Sequence, residues 1–295
     1  MLKNLKIKTK FLMAIAILAV FGRFALTNQP GADVVARITI DGTITTNAER
    51  QKMFEDLIED DKVKAVIVAI NSPGGTTAGG EELYESLRRL AAVKPTVSVI
   101  NELGASAAYM TAIGTDRIFA RRLSIVGSIG VLYQHVNAGK LLDTIGIDLD
   151  KVASGPLKAE PDYDEPLEGA PRQSLMELVQ DSFVWFVDIV AERRGIERPT
   201  ALALADGRIV TGRVALENKL IDELGGEFEA RKWLESDKQI DPKLEVVDAW
   251  PLPDEGFGWM STLLGGSARA ALGLPAEGPV VLDGLVSLWQ VERNP

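Results

Sequence analysis

The sequence predicts an α/β fold in which short buried strands alternate with amphipathic helices. Three observations predict it. Residues 64–70 (KAVIVAI) form an apolar run too short for a helix and rich in Val and Ile, the composition of a strand covered on both faces. Residues 80–92 place Leu83, Leu87, Leu90 and Ala91 at i, i+4, i+7 and i+8, one helical stripe. The alternation of such strands and helices recurs from residue 34 to 235, the pattern of one α/β domain.

The elements follow in order. Residues 11–22 (FLMAIAILAVFG) are apolar and follow the basic stretch KNLKIKTK; Arg23 interrupts, then FAL follows. That arrangement is the grammar of a signal peptide or signal anchor. A full span needs about 20 residues, and residues 8–27 reach that length if Arg23 snorkels to the interface. No convincing A-x-A cleavage site follows, so residues 1–30 are expected to be an uncleaved anchor of the inner (cytoplasmic) membrane. Its basic end would stay cytoplasmic and the body would lie on the extracytoplasmic side. A cleaved export signal is the alternative.

Residues 34–40 read as a strand and DGTI as a turn. Residues 48–60 read as a helix, with Met53, Phe54, Leu57 and Ile58 on one face. NSPGG ends the strand 64–70, Pro95 ends the helix 80–92, and residues 96–100 form the next strand. NELGASAAYMTAIG reads as a turn into a small-residue helix. Residues 117–120 and 128–134 are expected to be short strands, and 138–146 a helix ended by Gly146. Residues 153–171 hold four prolines and many acids without a period, which reads as a loop. A long amphipathic helix covers 172–194 and ends at Gly195; shorter helices cover 211–219 and 226–234. These elements give a domain over 31–235, followed by an extension over 236–295 to which no chemistry is assigned.

Composition narrows the function. The chain of 295 residues carries a net charge of −10, and its first ten residues hold Lys3, Lys6, Lys8 and Lys10 without an acid, so the body is more acidic still. That balance argues against nucleic acid as the main partner, because phosphate binding needs a basic surface. There is no cysteine, which removes disulfides and thiolate chemistry, and His135 is the single histidine. No metal site and no cofactor are expected.

Three features carry candidate chemistry. In NSPGG (71–75), Gly74 and Gly75 let the backbone turn sharply and bring N–H groups to a ligand or an oxyanion, although two adjacent glycines after a strand often form only a turn. Ser106, within GASAA (104–108), stands between a strand and a helix, where it is either a nucleophile with the Ala107 N–H beside it or an N-cap. Lys158 lies in SGPLKAEP between Pro156 and Pro161. A serine nucleophile needs a base, and a lysine serves when desolvation lowers its pKa from about 10.4. Otherwise Lys158 is a solvated loop residue.

Taken together, SPGG, ASAAY (105–109), VGSIGV (126–131), SGPLK (154–158) and ADGRIVTGRVALENKLIDELGG (205–226) resemble the signal peptide peptidase A family. The resemblance runs from about residue 34 to 235, with five blocks in order. It implies a ClpP/crotonase-like fold of stacked strand-helix units and a serine protease. By that resemblance Ser106 is the nucleophile, Lys158 the general base and Ser128 the hydroxyl that orients the lysine. Gly74, Gly75 and the Ala107 N–H fall at the oxyanion hole. The family often has two glycines after the nucleophile, where this chain has Ala107 and Ala108. The resemblance further implies apolar peptide substrates, remnant signal peptides among them, and a homo-oligomer in which Ser106 and Lys158 of neighbouring subunits meet.

Three other readings compete. His135 could complete a ClpP-like Ser-His-Asp triad with Ser106. The crotonase-like fold also serves acyl-CoA chemistry, although no obvious carboxylate pair lies near GASAAY. A membrane-bound scaffold with a degenerate site is the non-enzymatic reading.

Overall fold

The computed structural model of the protein describes residues 32–251 and the strand at 286–288. The expected anchor over residues 1–30 lies outside them. Among the described residues no helix is long and apolar enough to cross a membrane.

A nine-stranded sheet organises the described chain, with the path β6 (Ile209–Thr211), β5 (Ile125–Gly127), β3 (Thr96–Ala105), β2 (Val63–Thr76), β1 (Val34–Ile44) and β8 (Glu245–Trp250). The central strands are β1 (Val34–Ile44), β2 (Val63–Thr76) and β3 (Thr96–Ala105), paired in parallel. Helix α1 (Ala48–Glu59) connects β1 to β2, and α2 (Thr77–Ala91) connects β2 to β3. Asn47 caps α1 by accepting the Arg50 N–H, and Thr76 caps α2 by accepting the Gly79 N–H. Parallel strands need such crossovers, and helices supply them.

Period-two alternation sorts the strand side chains onto two faces. Ala36, Ile38 and Ile40 of β1 and Val66, Val68 and Ile70 of β2 join the larger core with Leu83, Leu87 and Leu90 of α2. Val35, Ala65 and Ile67 face the other way, with Val97 and Val99, against Trp233 and Leu234 of α8 (Glu227–Lys238). The sequence therefore reads as continuously apolar through β2 because both faces are covered.

The sheet splits along β3. Residues 97–100 pair with β4 (Arg117–Ala120), whereas residues 103–105 pair with β5 (Ile125–Gly127). Between β3 and β4 lies the short helix α3 (Ala107–Ala112). β6 (Ile209–Thr211) adds antiparallel to β5, and β7 (Glu223–Leu224) adds to β4. Helix α4 (Gly139–Ile145) ends at Gly146 in the left-handed region, as expected. The long helix α5 (Gly169–Arg194) buries Phe186, Val187, Ile189 and Val190 in its carboxy-terminal half, while Met176 and Leu178 in its other half are exposed. The helices α6 (Arg198–Leu204) and α7 (Gly212–Glu217) follow.

Several expectations are corrected. NSPGG does not break β2, which continues to Thr76 with a register irregularity between Asp41 and Thr43 of its β1 partner. Gly75 runs so close to β1 that a Cβ there would stand 1.8 Å from the Ile44 carbonyl oxygen, so the glycine keeps the strand pair together. Likewise β3 continues to Ala105 instead of turning at residue 101. Residues 128–134 are not a strand; the strand is 125–127 and ends where Gly127 and Ser128 both take positive φ. Residues beyond 235 supply β8 (Glu245–Trp250), parallel to β1, and β9 (Val286–Leu288), antiparallel to β2.

Candidate active site

Ser106 lies in the sharp turn from β3 into α3, with φ 59° and ψ −121°. A non-glycine residue there is strained, at a cost of about 1–3 kcal/mol. Two backbone hydrogen bonds hold it. The Ser106 N–H donates to the Gly127 carbonyl (2.8 Å), and the Ser106 carbonyl accepts the Met110 N–H (2.9 Å). Ser106 occupies the N-cap position of α3 but makes no side-chain cap bond. An ordinary serine cap has extended backbone and accepts a first-turn N–H, so the N-cap expectation is not what this residue does.

The surroundings of the turn are small and dense. Ala105, Ala107 and Ala108 are fully buried and Ser106 is 1% exposed. Gly80 of α2 lets that helix approach, since a Cβ there would meet the Ala107 Cβ at 2.9 Å. Tyr109 is buried and donates its hydroxyl to the Leu220 carbonyl (2.8 Å), tying α3 to the segment after α7; burial pushes its pKa up.

Ser128 is brought to this turn through its neighbour. Gly127, at φ 104°, gives its carbonyl to Ser106, and Ser128, at φ 53°, donates its N–H to the Arg208 carbonyl (2.8 Å). The Ser128 side chain is buried. Arg208 sits in the ADGRIVTG block that leads into β6, so two of the sequence motifs meet at one backbone contact.

The glycine pair lies at the end of β2, across from the end of β3, where Ser72 pairs with Gly104. Gly74 has φ 104°, and its N–H donates to the Ser72 hydroxyl (3.1 Å), which itself donates to the Gly42 carbonyl (2.6 Å). The Gly74 amide is thus engaged inside its own turn. Ser72 and Gly127 are residues of quoted motifs to which the sequence reading gave no role. Their contribution is a backbone contact across strands, which spacing alone does not express.

Lys158 is placed differently. It is exposed, and its side chain makes no hydrogen bond or ion pair among the described residues. It rides on an excursion closed by Lys151, which pairs with Glu160 (2.6 Å) and with Asp162. Hydrogen bonds donated to Asp162 and Glu160 hold the Lys151 ammonium well above its ordinary pKa. The base of the excursion is tied by the Ala138 N–H to the Tyr163 carbonyl (2.5 Å). His135 belongs to the same tie, with Nε2 3.1 Å from the Glu165 carbonyl. A carbonyl only accepts, so Nε2 carries the proton and is spent on the loop. Within one chain, then, Ser106, Ser128 and the glycine pair converge, and Lys158 and His135 stand apart on the surface loop.

The chain is also similar in sequence to known proteins. The profile of Peptidase family S49 matches residues 88–241. A protein of Synechocystis sp. named as a candidate protease is 35% identical over 216 residues, covering 72% of this chain and 78% of that protein. A protein of Enterococcus faecium named as a candidate signal peptide peptidase SppA is 30% identical, covering 79% and 66% respectively. Among solved structures, a mutant of the membrane-bound stomatin-specific protease 1510-N aligns with a TM-score of 0.47 at 15% identity, over 74% of this chain and 98% of that one.

Proposed function

The chain belongs to peptidase family S49 and is a protease, and from that premise we propose that it is a serine endopeptidase with Ser106 as nucleophile and Lys158 as general base. The observation that carries the proposal is the backbone of Ser106. Strain at a strand-to-helix turn, kept by two backbone hydrogen bonds and without a side-chain cap bond, is the backbone geometry that sets a nucleophilic hydroxyl at the end of a strand.

In the proposed reaction the neutral Lys158 amine takes the Ser106 hydroxyl proton while Oγ attacks the peptide carbonyl carbon. The carbonyl oxygen becomes an oxyanion beside the Ala107 N–H and the glycine pair; Gly75 is the better donor because the Gly74 amide already serves Ser72. The C–N bond then breaks, and the lysine returns the proton to the leaving amine. Water, deprotonated by the same lysine, releases the acyl group from Ser106. Ser128 is the hydroxyl that orients the lysine.

An exposed lysine is fully solvated, whereas a lysine base works when it is desolvated. Covering it requires another molecule. The stretch of chain that carries Lys158, residues 141–178, also exposes the apolar side chains Leu141, Ile145, Leu149, Leu157, Met176 and Leu178, and a second copy of the chain is the proposed cover. Each catalytic centre then combines Ser106 of one subunit with Lys158 of the next. The substrates are apolar peptides such as remnant signal peptides, and the amino-terminal segment anchors the enzyme beside the membrane where they collect.

The test is hydrolysis of an apolar peptide by the full chain. Ser106→Ala and Lys158→Ala should each lower kcat by at least about a thousandfold, with the circular dichroism spectrum unchanged. His135→Gln should keep activity within about twofold, as its Nε2 only ties the loop. A dead His135→Gln beside an active Lys158→Ala would replace the lysine with the histidine triad.

A further inference from the structure

Strand β2 loses register with β1 at NSPGG. Asp41 stands opposite Asn71 and Thr43 opposite Gly74, so Ser72 and Pro73 together face Gly42 alone. That is a bulge, which takes ladder groups away from their usual partners. Pro73 adds to the deficit, because it has no N–H. The Ser72 side chain stands in for the missing rung. Its hydroxyl donates to the Gly42 carbonyl (2.6 Å) and accepts the Gly74 N–H (3.1 Å), so one side chain ties β2 to β1 and to its own next turn. Ser72 is fully buried.

The glycine pair is what this rung controls. Gly75 has no room to shift toward β1, since a Cβ there would already stand 1.8 Å from the Ile44 carbonyl oxygen. Gly74 is different. At φ 104° it holds a conformation open to glycine, and glycine takes either sign of φ readily. The bond from the Gly74 N–H to Ser72 fixes the peptide plane between Pro73 and Gly74. From that plane, φ and ψ of Gly74 set the direction of the Gly75 N–H. Without the bond the peptide planes on either side of Gly74 are free to turn. A turn of the second would aim a carbonyl oxygen where the proposed reaction needs a donor.

We propose that Ser72 is a positioning residue of the proposed active site: its hydroxyl locks the Gly74 amide so that the Gly75 N–H meets the developing oxyanion. The inference rests on the reading of Ser106 as nucleophile, and Ser72 itself touches no reacting atom. A second buried serine supplies the control. Ser98 of β3 is also fully buried, yet its Oγ has no hydrogen-bond partner among the described residues. Ser98→Ala therefore removes a buried hydroxyl without removing a positioning bond.

The experiment uses the full chain and an apolar peptide substrate. Ser72→Ala deletes the hydroxyl, and Ser72→Cys keeps nearly its shape with a thiol that donates and accepts weakly. Each should lower kcat about a hundredfold with KM within about twofold. A peptide boronate, which forms a tetrahedral adduct with an active serine, should lose affinity by the same factor as kcat/KM. Ser98→Ala should leave all three quantities within about twofold. Amide hydrogen exchange reads the geometry itself: the Gly74 N–H should be protected in the unmodified chain and in Ser98→Ala, and unprotected in Ser72→Ala. If Ser72→Ala does not fold, Ser72→Cys decides. A folded Ser72 variant with kcat within about threefold of the unmodified enzyme, or one whose loss lies in KM, would overturn the inference and leave Ser72 as a structural part of the bulge. If Ser106→Ala is inactive while both Ser72 variants turn over normally, the Ser72 inference alone has failed. If Ser106→Ala retains hydrolysis, the nucleophile reading has failed and the inference falls with it.

Discussion

At the scale of single residues, the backbone of Ser106 makes a prediction about stability that is independent of substrate. At φ 59° and ψ −121° a side chain is strained and glycine is not. Ser106→Gly should therefore be about 1 kcal/mol more stable than Ser106→Ala, read as the difference in urea midpoints, although the proposed role of Ser106 predicts that both are inactive. Equal stability would mean that the turn is relaxed and that its geometry says nothing about function. The glycines divide the same way. A Cβ on Gly75 would collide with the Ile44 backbone, which cannot move without parting β1 from β2. Gly75→Ala should cost at least about 3 kcal/mol. Gly42, at φ 66° with open space around it, should cost only about 1 kcal/mol as alanine. The positions of Ser106, Ser128, Gly74 and Gly75 were legible in the sequence because each stands in a recognisable block. The conformation that makes Ser106 unusual was not, since a serine before a helix is equally a cap until its φ is known.

At the scale of elements, the strands and helices that bury a single face or a continuous run were legible. α1, β4 and α4 lie within one residue of their expected bounds, and α2 begins three residues earlier than expected. The failures have one physical origin. β2 and β3 extend beyond their apolar runs because pairing with a neighbour, rather than side-chain hydrophobicity, holds residues 71–76 and 101–105 extended. β5, β6, β8 and β9 are short strands whose partners are distant in sequence, and periodicity over three to six residues is too brief to detect. Helix α5 reads as uniformly amphipathic, yet only its second half is covered. Phe186→Ala should destabilise the chain by about 3–5 kcal/mol, because its side chain is fully buried in the core shared with α2 and α3. Leu178→Ser, on the exposed half, should leave monomer stability within about 0.5 kcal/mol. A large loss from Leu178→Ser in dilute, monomeric protein would mean that the first half of α5 is already covered by its own chain.

At the scale of the whole molecule, the described chain buries the proposed nucleophile but leaves the proposed base in solvent. Ser106 is 1% exposed in the turn that follows β3, whereas Lys158 stands on the surface excursion held by Lys151. One chain folded in this way is incomplete as the proposed Ser–Lys protease, and the proposed head-to-tail association would complete it by lending each subunit the lysine of its neighbour. This has a numerical consequence. Ser106→Ala and Lys158→Ala subunits, each inactive alone, form an active centre only where an intact serine meets an intact lysine across an interface. Random assembly of equal amounts places those two at about one interface in four, so the mixture should recover about a quarter of the unmodified activity after subunit exchange. A dyad formed within one chain predicts no recovery at any ratio, because every chain then carries one defect. Varying the ratio sharpens the distinction: the recovered activity should follow the product of the two mole fractions, highest at equality and falling symmetrically on either side. A flat zero across that series would place Ser106 and Lys158 in the same chain and require the excursion carrying Lys158 to fold over the site by a movement of its own.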